Sequence, residues 1–151
     1  MMFVLIRRVS SYTHHDLLLG VFRSLAQAAE ARAEYIETVL RANEDPWASQ
    51  AYASVSDNDV EVLDAVPLIA MTSHVDRAFV VSSYAEGFGQ VVRKFEAVVG
   101  ALGQAQAHAK SLEANDDGSC PYSCEIAEVP IGKLSHAQGG YRTDVAHPAD
   151  A

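Results

Sequence analysis

The sequence predicts an α+β protein in which one β-β-α-β unit occurs twice in tandem and the two units form a single pseudo-twofold domain. Three observations predict this class. Short runs of β-branched and aromatic residues alternate with two stretches of helical periodicity, the elements follow the same order in both halves, and corresponding elements end in similar residues. We expect a largely antiparallel sheet with the two helices packed on one face.

The first unit begins with two strand-type runs. Residues 3–12 are rich in β-branched and aromatic side chains, and turn-tolerant polar residues interrupt the pattern at 13–16. Residues 17–22 form a second apolar run. The sequence therefore predicts a strand, a turn and a second strand.

A helix is predicted to follow. Ser24 with Gln27 three residues later is a capping-box pattern, and the helix is expected to run to about Ala42, before Pro46. The apolar residues at helical spacing, predicted to be buried, are Leu25, Ala29, Ala33, Ile36 and Leu40, whereas the opposite side carries Glu30, Glu34, Glu37 and Arg41. Strand-type residues return at 52–55 and 60–66.

The second unit repeats this order. Residues 79–84 predict a strand, 86–89 a hairpin loop and 90–99 the return strand. The next helix is expected to bury Leu102, Ala105, Ala109 and Leu112, and residues 122–131 form the last predicted strand.

Matching endings support a duplication. The first helix ends in residues 40–45 and the second in 112–117, with similar residues in the same order, and the triplet 129–131 matches 66–68. Residues 68–76 form a short connection between the units. We therefore predict one composite domain over residues 1–134, with repeats at 1–68 and 77–133, followed by a C-terminal tail at 135–151.

The segment from Gly20 to Ala28, Gly-Val-Phe-Arg-Ser-Leu-Ala-Gln-Ala, follows an apolar strand and a turn. It resembles a group of short uncharacterised bacterial and phage proteins that open with a strand, then a Gly-Val-aromatic-x-Ser element that enters a helix. The resemblance covers roughly the first 65 residues and, more weakly, the second unit. It implies a fold and no particular chemistry.

The charge and apolar content of the chain argue against some classes of binding partner. The formal net charge is −9, from 20 acidic and 11 Lys and Arg residues, which disfavours nucleic acid as a partner. Basic residues form no lipid-binding run, and no apolar stretch approaches the length of a membrane span, so no membrane partner and a cytoplasmic location are expected.

Three possible sites of chemistry have simpler structural interpretations. Cys120 and Cys124 are separated by three residues rather than the two typical of redox or zinc motifs. His14 and His15 lie at a predicted hairpin tip. The segment 57–61 alternates oxygen-bearing side chains, yet it lacks the glycine and the glutamate of a calcium loop. We expect no cofactor and no metal.

A binding surface is predicted instead. The segment between the first helix and its closing strand is longer in the first unit, and both helices end in paired acidic residues, where the helix dipole is already negative. Aromatic residues beside acidic ones are typical of a binding loop. The predicted partner-binding residues are Glu44, Asp45, Trp47, Tyr52, Asp57, Asp59, Glu61, Asp116 and Asp117.

These features favour a non-enzymatic protein that binds and inhibits or regulates another protein with a basic surface, in the manner of an immunity protein or a phage-encoded inhibitor. The alternative is a small-molecule-binding or enzymatic module with a pocket where the two units meet. A third option is a scaffold or a subunit of a homo-oligomer.

Overall fold

The protein has an α+β fold with two three-stranded antiparallel sheets, each accompanied by a helix. The computed structural model describes residues 2–8, 16–40, 60–65, 76–87, 90–114, 123–137 and 140–143. In the first half, β1 (Met2–Arg7) and β2 (Leu17–Phe22) precede α1 (Leu25–Tyr35), a π-helical turn (Ile36–Leu40) and β3 (Val60–Ala65). In the second half, β4 (Arg77–Gly87) and β5 (Gln90–Val99) precede α2 (Leu102–Ala114) and β6 (Ser123–Pro130).

Both sheets have the same strand order. The first strand of each half lies in the centre, which gives β2-β1-β3 and β5-β4-β6. The pairing register agrees as well, since Phe3 pairs with Phe22 and Asp64 while Phe79 pairs with Val99 and Glu128. The two central strands and their partners can therefore be matched residue by residue.

An irregularity in pairing occurs at the same place in both sheets. The register between β1 and β2 shifts between Leu5 and Ile6, and the register between β4 and β5 shifts between Val81 and Ser82. Because Leu5 corresponds to Val81 in the matched register, the two bulges occupy equivalent positions. Bulges bend a strand and increase its twist locally, so both sheets bend at the same point.

The sheets pack face to face, with each helix on the outside. Alternate residues of β1 and β4 join one buried cluster between the sheets, which contains Met2, Val4, Ile6, Leu18, Val21, Ala78, Val80, Val98, Ala127 and Val129. Leu5 points the other way, into a cluster with Ala28, Ala31 and Tyr35 of α1, and Val81 joins a cluster with Ala105 and Ala109 of α2. The prediction that both helices share one face of a common sheet is therefore wrong.

The buried face of α1 differs from the predicted stripe. Ala28, Ala31 and Tyr35 are buried, whereas Leu25 is 58% exposed and Ala29 and Ala33 are also exposed. Ile36 is buried, as predicted. Small alanine side chains on the buried face of α1 let the helix approach the sheet closely, and Tyr35 then supplies most of the apolar bulk.

The buried face of α2 is closer to the predicted one. Ala105 and Ala109 are buried and Leu112 packs against their cluster, as expected. Leu102 is 37% exposed, so its predicted burial is wrong. Leu25 and Leu102 occupy the same position, the first residue of each helix.

Several predicted boundaries also change. The segment 86–89 is not all loop, because Glu86 and Gly87 belong to β4 and Gly87 pairs with Gln90. The closing strands match one residue out of the predicted alignment, since Ala65 pairs with Met2 as Val129 pairs with Ala78. The predicted strand at 52–55 lies outside the described residues.

The chain after β6 crosses to the other sheet. The backbone N–H groups of Gly132, Ser135 and Tyr141 donate hydrogen bonds to carbonyl oxygens of β2, at 2.7–2.9 Å between nitrogen and oxygen. Ser135 is buried, Leu134 packs against the α1 cluster, and Tyr141 packs against the cluster between the sheets. The described part of the predicted tail is thus held against the first sheet.

Candidate functional site

Most of the predicted partner-binding residues lie outside the described residues. These are Glu44, Asp45, Trp47, Tyr52, Asp57, Asp59, Asp116 and Asp117. Glu61 is described and lies in β3. Its side chain is 43% exposed and accepts a hydrogen bond from Arg8 Nε at 3.2 Å.

Arg8 links three strand ends of the first sheet. Besides Glu61, its Nη1 donates to Asp16 Oδ2 at 2.7 Å, just before β2 begins. The hydrogen bond with Asp16 is the largest cause that raises the pKa of Arg8 above its usual value. The Arg8 cluster is therefore a charged surface network, and its carboxylates are already engaged within the chain.

A second arginine lies at the corresponding end of the other sheet. Arg93 on β5 is 5% exposed, and its Nη1 donates to Ser82 Oγ at 2.8 Å while its Nη2 donates to Glu125 Oε1 at 2.6 Å. Ser82 is on the central strand and Glu125 on β6, so the guanidinium crosses the whole sheet. A buried ion pair with short, directed hydrogen bonds fixes geometry, which is a structural role.

The two clusters occupy matched positions in the two halves. In the common register Asp16 stands where Arg93 stands, and Glu61 stands where Glu125 stands. The cation comes from β5 in the second sheet but from the residue after β1 in the first. Sequence reasoning missed both clusters because Arg8, Arg93 and Glu125 are far apart in the chain and follow no motif.

Cys124 is a buried thiol under α2. Its side chain is fully buried, and its backbone N–H donates to Glu113 Oε1 at 3.0 Å. Burial is the main cause that raises the pKa of Cys124 to about 11, with Glu113 and Glu96 adding to it. At neutral pH this residue is a protonated, apolar core side chain rather than a nucleophile. Cys120 lies outside the described residues.

Three further contacts tie α1 to its surroundings. Tyr35, buried under the helix, accepts a hydrogen bond from Arg7 Nη1 at 3.2 Å, and Arg32 Nε donates to the Val60 carbonyl at 2.8 Å. On the outside, Glu34 Oε1 and His136 Nε2 are 3.1 Å apart. These bonds fix the helix relative to β1, β3 and the C-terminal segment.

The outward surface of α1 combines an apolar side chain with acidic ones. Leu25 is the most exposed large hydrophobic residue described, and Glu30, Glu34 and Glu37 are all exposed along the same helix and its π-helical turn. The sequence pattern indicated the exposed glutamates correctly and the exposed leucine incorrectly. On α2, the exposed charged residue is Lys110, so the two helices present different surfaces.

Within the described residues, no group of three or more His, Cys, Asp or Glu side chains is arranged to hold a metal ion. No helix of the described part combines the length and apolar composition needed to cross a bilayer. No protein-family model matches the chain, and neither the curated proteins nor the solved structures contain a match.

Proposed function

We propose that this protein is a non-enzymatic inhibitor or regulator that binds another protein with a basic surface, and that the outward face of α1 forms part of the contact. The observation that carries the proposal is the combination on one helix of a leucine that is 58% exposed with three exposed glutamates. Exposed apolar and charged side chains on one element are a common composition of protein-binding surfaces.

The charges support a basic partner. The chain carries a net charge of −9, and Glu30, Glu34 and Glu37 place part of it on one exposed surface. A patch of one sign increases the association rate with a partner of opposite sign, and salt weakens the effect. The residues after α1, including Glu44, Asp45 and Trp47, remain predicted members of the same binding surface.

The alternative function, a ligand pocket where the two units meet, has less support. The described part of that interface is filled by the apolar cluster between the sheets, which includes Val4, Ile6, Val80 and Val98. Close-packed aliphatic side chains leave neither space nor polar groups for a small molecule.

We infer that the two units are copies of one ancestral unit, because strand order, pairing register and bulge position agree between the halves. An experimental structure in which the matched strands fail to superpose through a near-twofold rotation would contradict this inference.

Affinity capture with matched baits tests the function. The wild-type chain, a Glu30→Lys/Glu37→Lys variant, a Leu25→Ala variant and a Leu102→Ala control would each be exposed to an extract of the native host. We expect a basic protein to be retained by the wild type and by Leu102→Ala and to be lost from the first two variants. Leu102 is a suitable control because it occupies the equivalent position on α2.

Binding kinetics then separate the two contributions. The charge-reversed variant should associate more slowly, by roughly tenfold at low salt, with a smaller difference at high salt. Leu25→Ala should mainly speed dissociation, because an apolar anchor acts after docking. Wild-type kinetics for both variants would exclude α1 from the interface and leave the predicted segment after it as the site to test.

A further inference from the structure

β2 is an edge strand without charges of its own. Its six residues, Leu-Leu-Leu-Gly-Val-Phe, contain neither a charged residue nor a proline, and among the described strands β1 is its only partner. A short neutral apolar run with an open edge is the kind of segment that pairs with other chains. Proteins usually protect such edges with lysine, proline or a covering segment.

The matched edge of the other sheet differs in this respect. β5 includes Arg93, Lys94 and Glu96, and the Lys94 side chain is 75% exposed. Charged side chains along an edge oppose pairing with a second copy of the same strand. The first sheet has no such protection within β2 itself.

Residues 132–137 and 140–141, named the C-terminal strap, cover the β2 edge. Its N–H groups at Gly132, Ser135 and Tyr141 bond to the carbonyls of Val21, Leu19 and Leu18, and Tyr141 forms an antiparallel bridge with Leu18. These carbonyls would otherwise be available to the N–H groups of another strand. The strap therefore occupies hydrogen-bonding positions that an added strand would use.

Glycine permits the close approach at the end of the strap. Gly140 has a φ of +68°, and a Cβ atom there would lie 2.5 Å from the Leu18 carbonyl oxygen, so a side chain cannot be accommodated without displacing the strap. Gly132 also has a positive φ, +84°, but nothing lies within 4 Å of the position of its Cβ. The two glycines therefore differ in steric contact while sharing an unusual backbone conformation.

We propose that the C-terminal strap is a built-in guard against self-association, and that its release lets β2 pair with β2 of a second copy of this chain. A second copy is the favoured occupant because the exposed edge would be neutral and apolar. Two identical edges can then pair antiparallel about a twofold axis without bringing like charges together.

Full-length variants test the guard. Gly140→Ala should release the strap, and Gly132→Ala is the matched control, because both introduce a methyl group at positive φ but only the first meets β2. Tyr141→Ala is a second route to release, since the Tyr141 ring packs against the cluster between the sheets and its hydroxyl donates to the Lys133 carbonyl at 2.7 Å. Circular dichroism establishes that each variant remains folded.

Two readouts are needed. In hydrogen exchange, the amides of Ser135 and Tyr141 should lose at least roughly tenfold protection in Gly140→Ala and Tyr141→Ala relative to Gly132→Ala. In light scattering after size exclusion, the two released variants should shift toward twice the wild-type mass as concentration increases, whereas Gly132→Ala should match the wild type. Adding Leu17→Lys to Gly140→Ala places a charge in β2 and should restore the wild-type mass.

Three outcomes would overturn the proposal. The first is a released strap with the wild-type mass at every concentration. The second is unchanged protection of Tyr141 in both variants, since the contact with Leu18 would then not hold the strap. The third is association that Leu17→Lys leaves unchanged, because it would run through a surface other than β2.

Discussion

Arg93 Nη2 and Glu125 Oε1 lie 2.6 Å apart and join the two edge strands of the second sheet across its centre. The Arg93 side chain is almost fully buried and also bonds to Ser82 on the central strand between them. In the first sheet, the residue matched to Glu125 is Glu61, whose partner Arg8 is 45% exposed. The same position therefore carries a buried ion pair in one unit and a solvated one in the other.

This contrast predicts that equivalent substitutions in the two sheets lower the free energy of unfolding by different amounts. Glu125→Gln should lower the free energy of unfolding by about 3 kcal/mol, because it leaves the Arg93 charge buried without its carboxylate. Glu61→Gln should cost less than about 1 kcal/mol, since water screens the exposed pair. Urea denaturation of both variants measures the two costs. Equal costs would show that burial of Arg93 does not control the strength of the pair.

The exposed leucine of α1 leads to a second prediction. Leu25→Ala should change the free energy of unfolding by less than about 0.5 kcal/mol, because the side chain is already largely in solvent. Ala28→Leu should cost about 1–3 kcal/mol, because Ala28 is fully buried against the sheet. Thermal and urea melts of the two variants provide the comparison. A loss of several kcal/mol for Leu25→Ala would restore the predicted stripe and contradict the observed burial.

Element type and order could be predicted from the sequence, and the buried face of α1 could not. β2 and β5 have the predicted bounds, and the first helix starts where Ser24 and Gln27 predict it. Alanine occurs on both sides of α1, so the predicted buried face depends on the few large residues. Leu25, at the helix start, is one of these and is exposed, which makes the predicted face wrong. The packing of two sheets against each other could not be predicted either, because the alternation of apolar and polar residues along a strand does not show which element covers each face.

The candidate site shows a similar division. Exposed glutamates on α1 follow from local periodicity, so the sequence indicated them. The Arg8 and Arg93 clusters depend on cross-strand register, which a single sequence does not reveal. The covering of β2 by the C-terminal strap could not be predicted from the sequence for another reason. That segment is rich in Gly, Ser and polar residues, a composition that is typical of a tail.

We expect Cys124 to make the stability of the protein sensitive to alkaline pH. The thiol has a pKa of 9.0 when unperturbed and about 11 in the fold. The folded state therefore holds its proton over a range where the unfolded chain loses it. The contribution of this pKa shift to the free energy of unfolding is fully present below about pH 9. It is lost as the pH rises through about 11, and the loss is on the order of 1–3 kcal/mol.

Substitution isolates this contribution. Val60 stands at the matched position of the first sheet and is equally buried, so Cys124→Val should fold and should lose the Cys124 component of the alkaline decline. Urea midpoints measured between pH 8 and pH 11 for both chains test this. Parallel pH profiles for the two chains would assign the decline to other groups. Native Cys124 should also react slowly with iodoacetamide at pH 7.5 and readily after unfolding.

The starts of the two helices provide the last prediction. Ser24 Oγ accepts a hydrogen bond from the Gln27 N–H at 3.2 Å, which caps α1. The equivalent residue before α2 is Ala101, which has no side-chain acceptor, although its carbonyl accepts from Ala105 as that of Ser24 accepts from Ala28. The first backbone hydrogen bond is thus the same in both helices, whereas the capping side chain is present only before α1.

Removing the serine before α1 and introducing one before α2 should therefore change the free energy of unfolding in opposite directions. Ser24→Ala should lower the free energy of unfolding by about 1 kcal/mol, and Ala101→Ser should raise it by about 0.5–1 kcal/mol. Gly103→Ala should add a further 0.5–1 kcal/mol, since a Cβ atom there meets nothing within 4 Å and alanine favours the helix. Urea denaturation of the three single variants and of the Ala101→Ser/Gly103→Ala pair measures these changes. If Ala101→Ser destabilises the protein, the backbone before α2 is not positioned to place a serine hydroxyl near the first N–H groups of the helix, and the two helix starts are not equivalent.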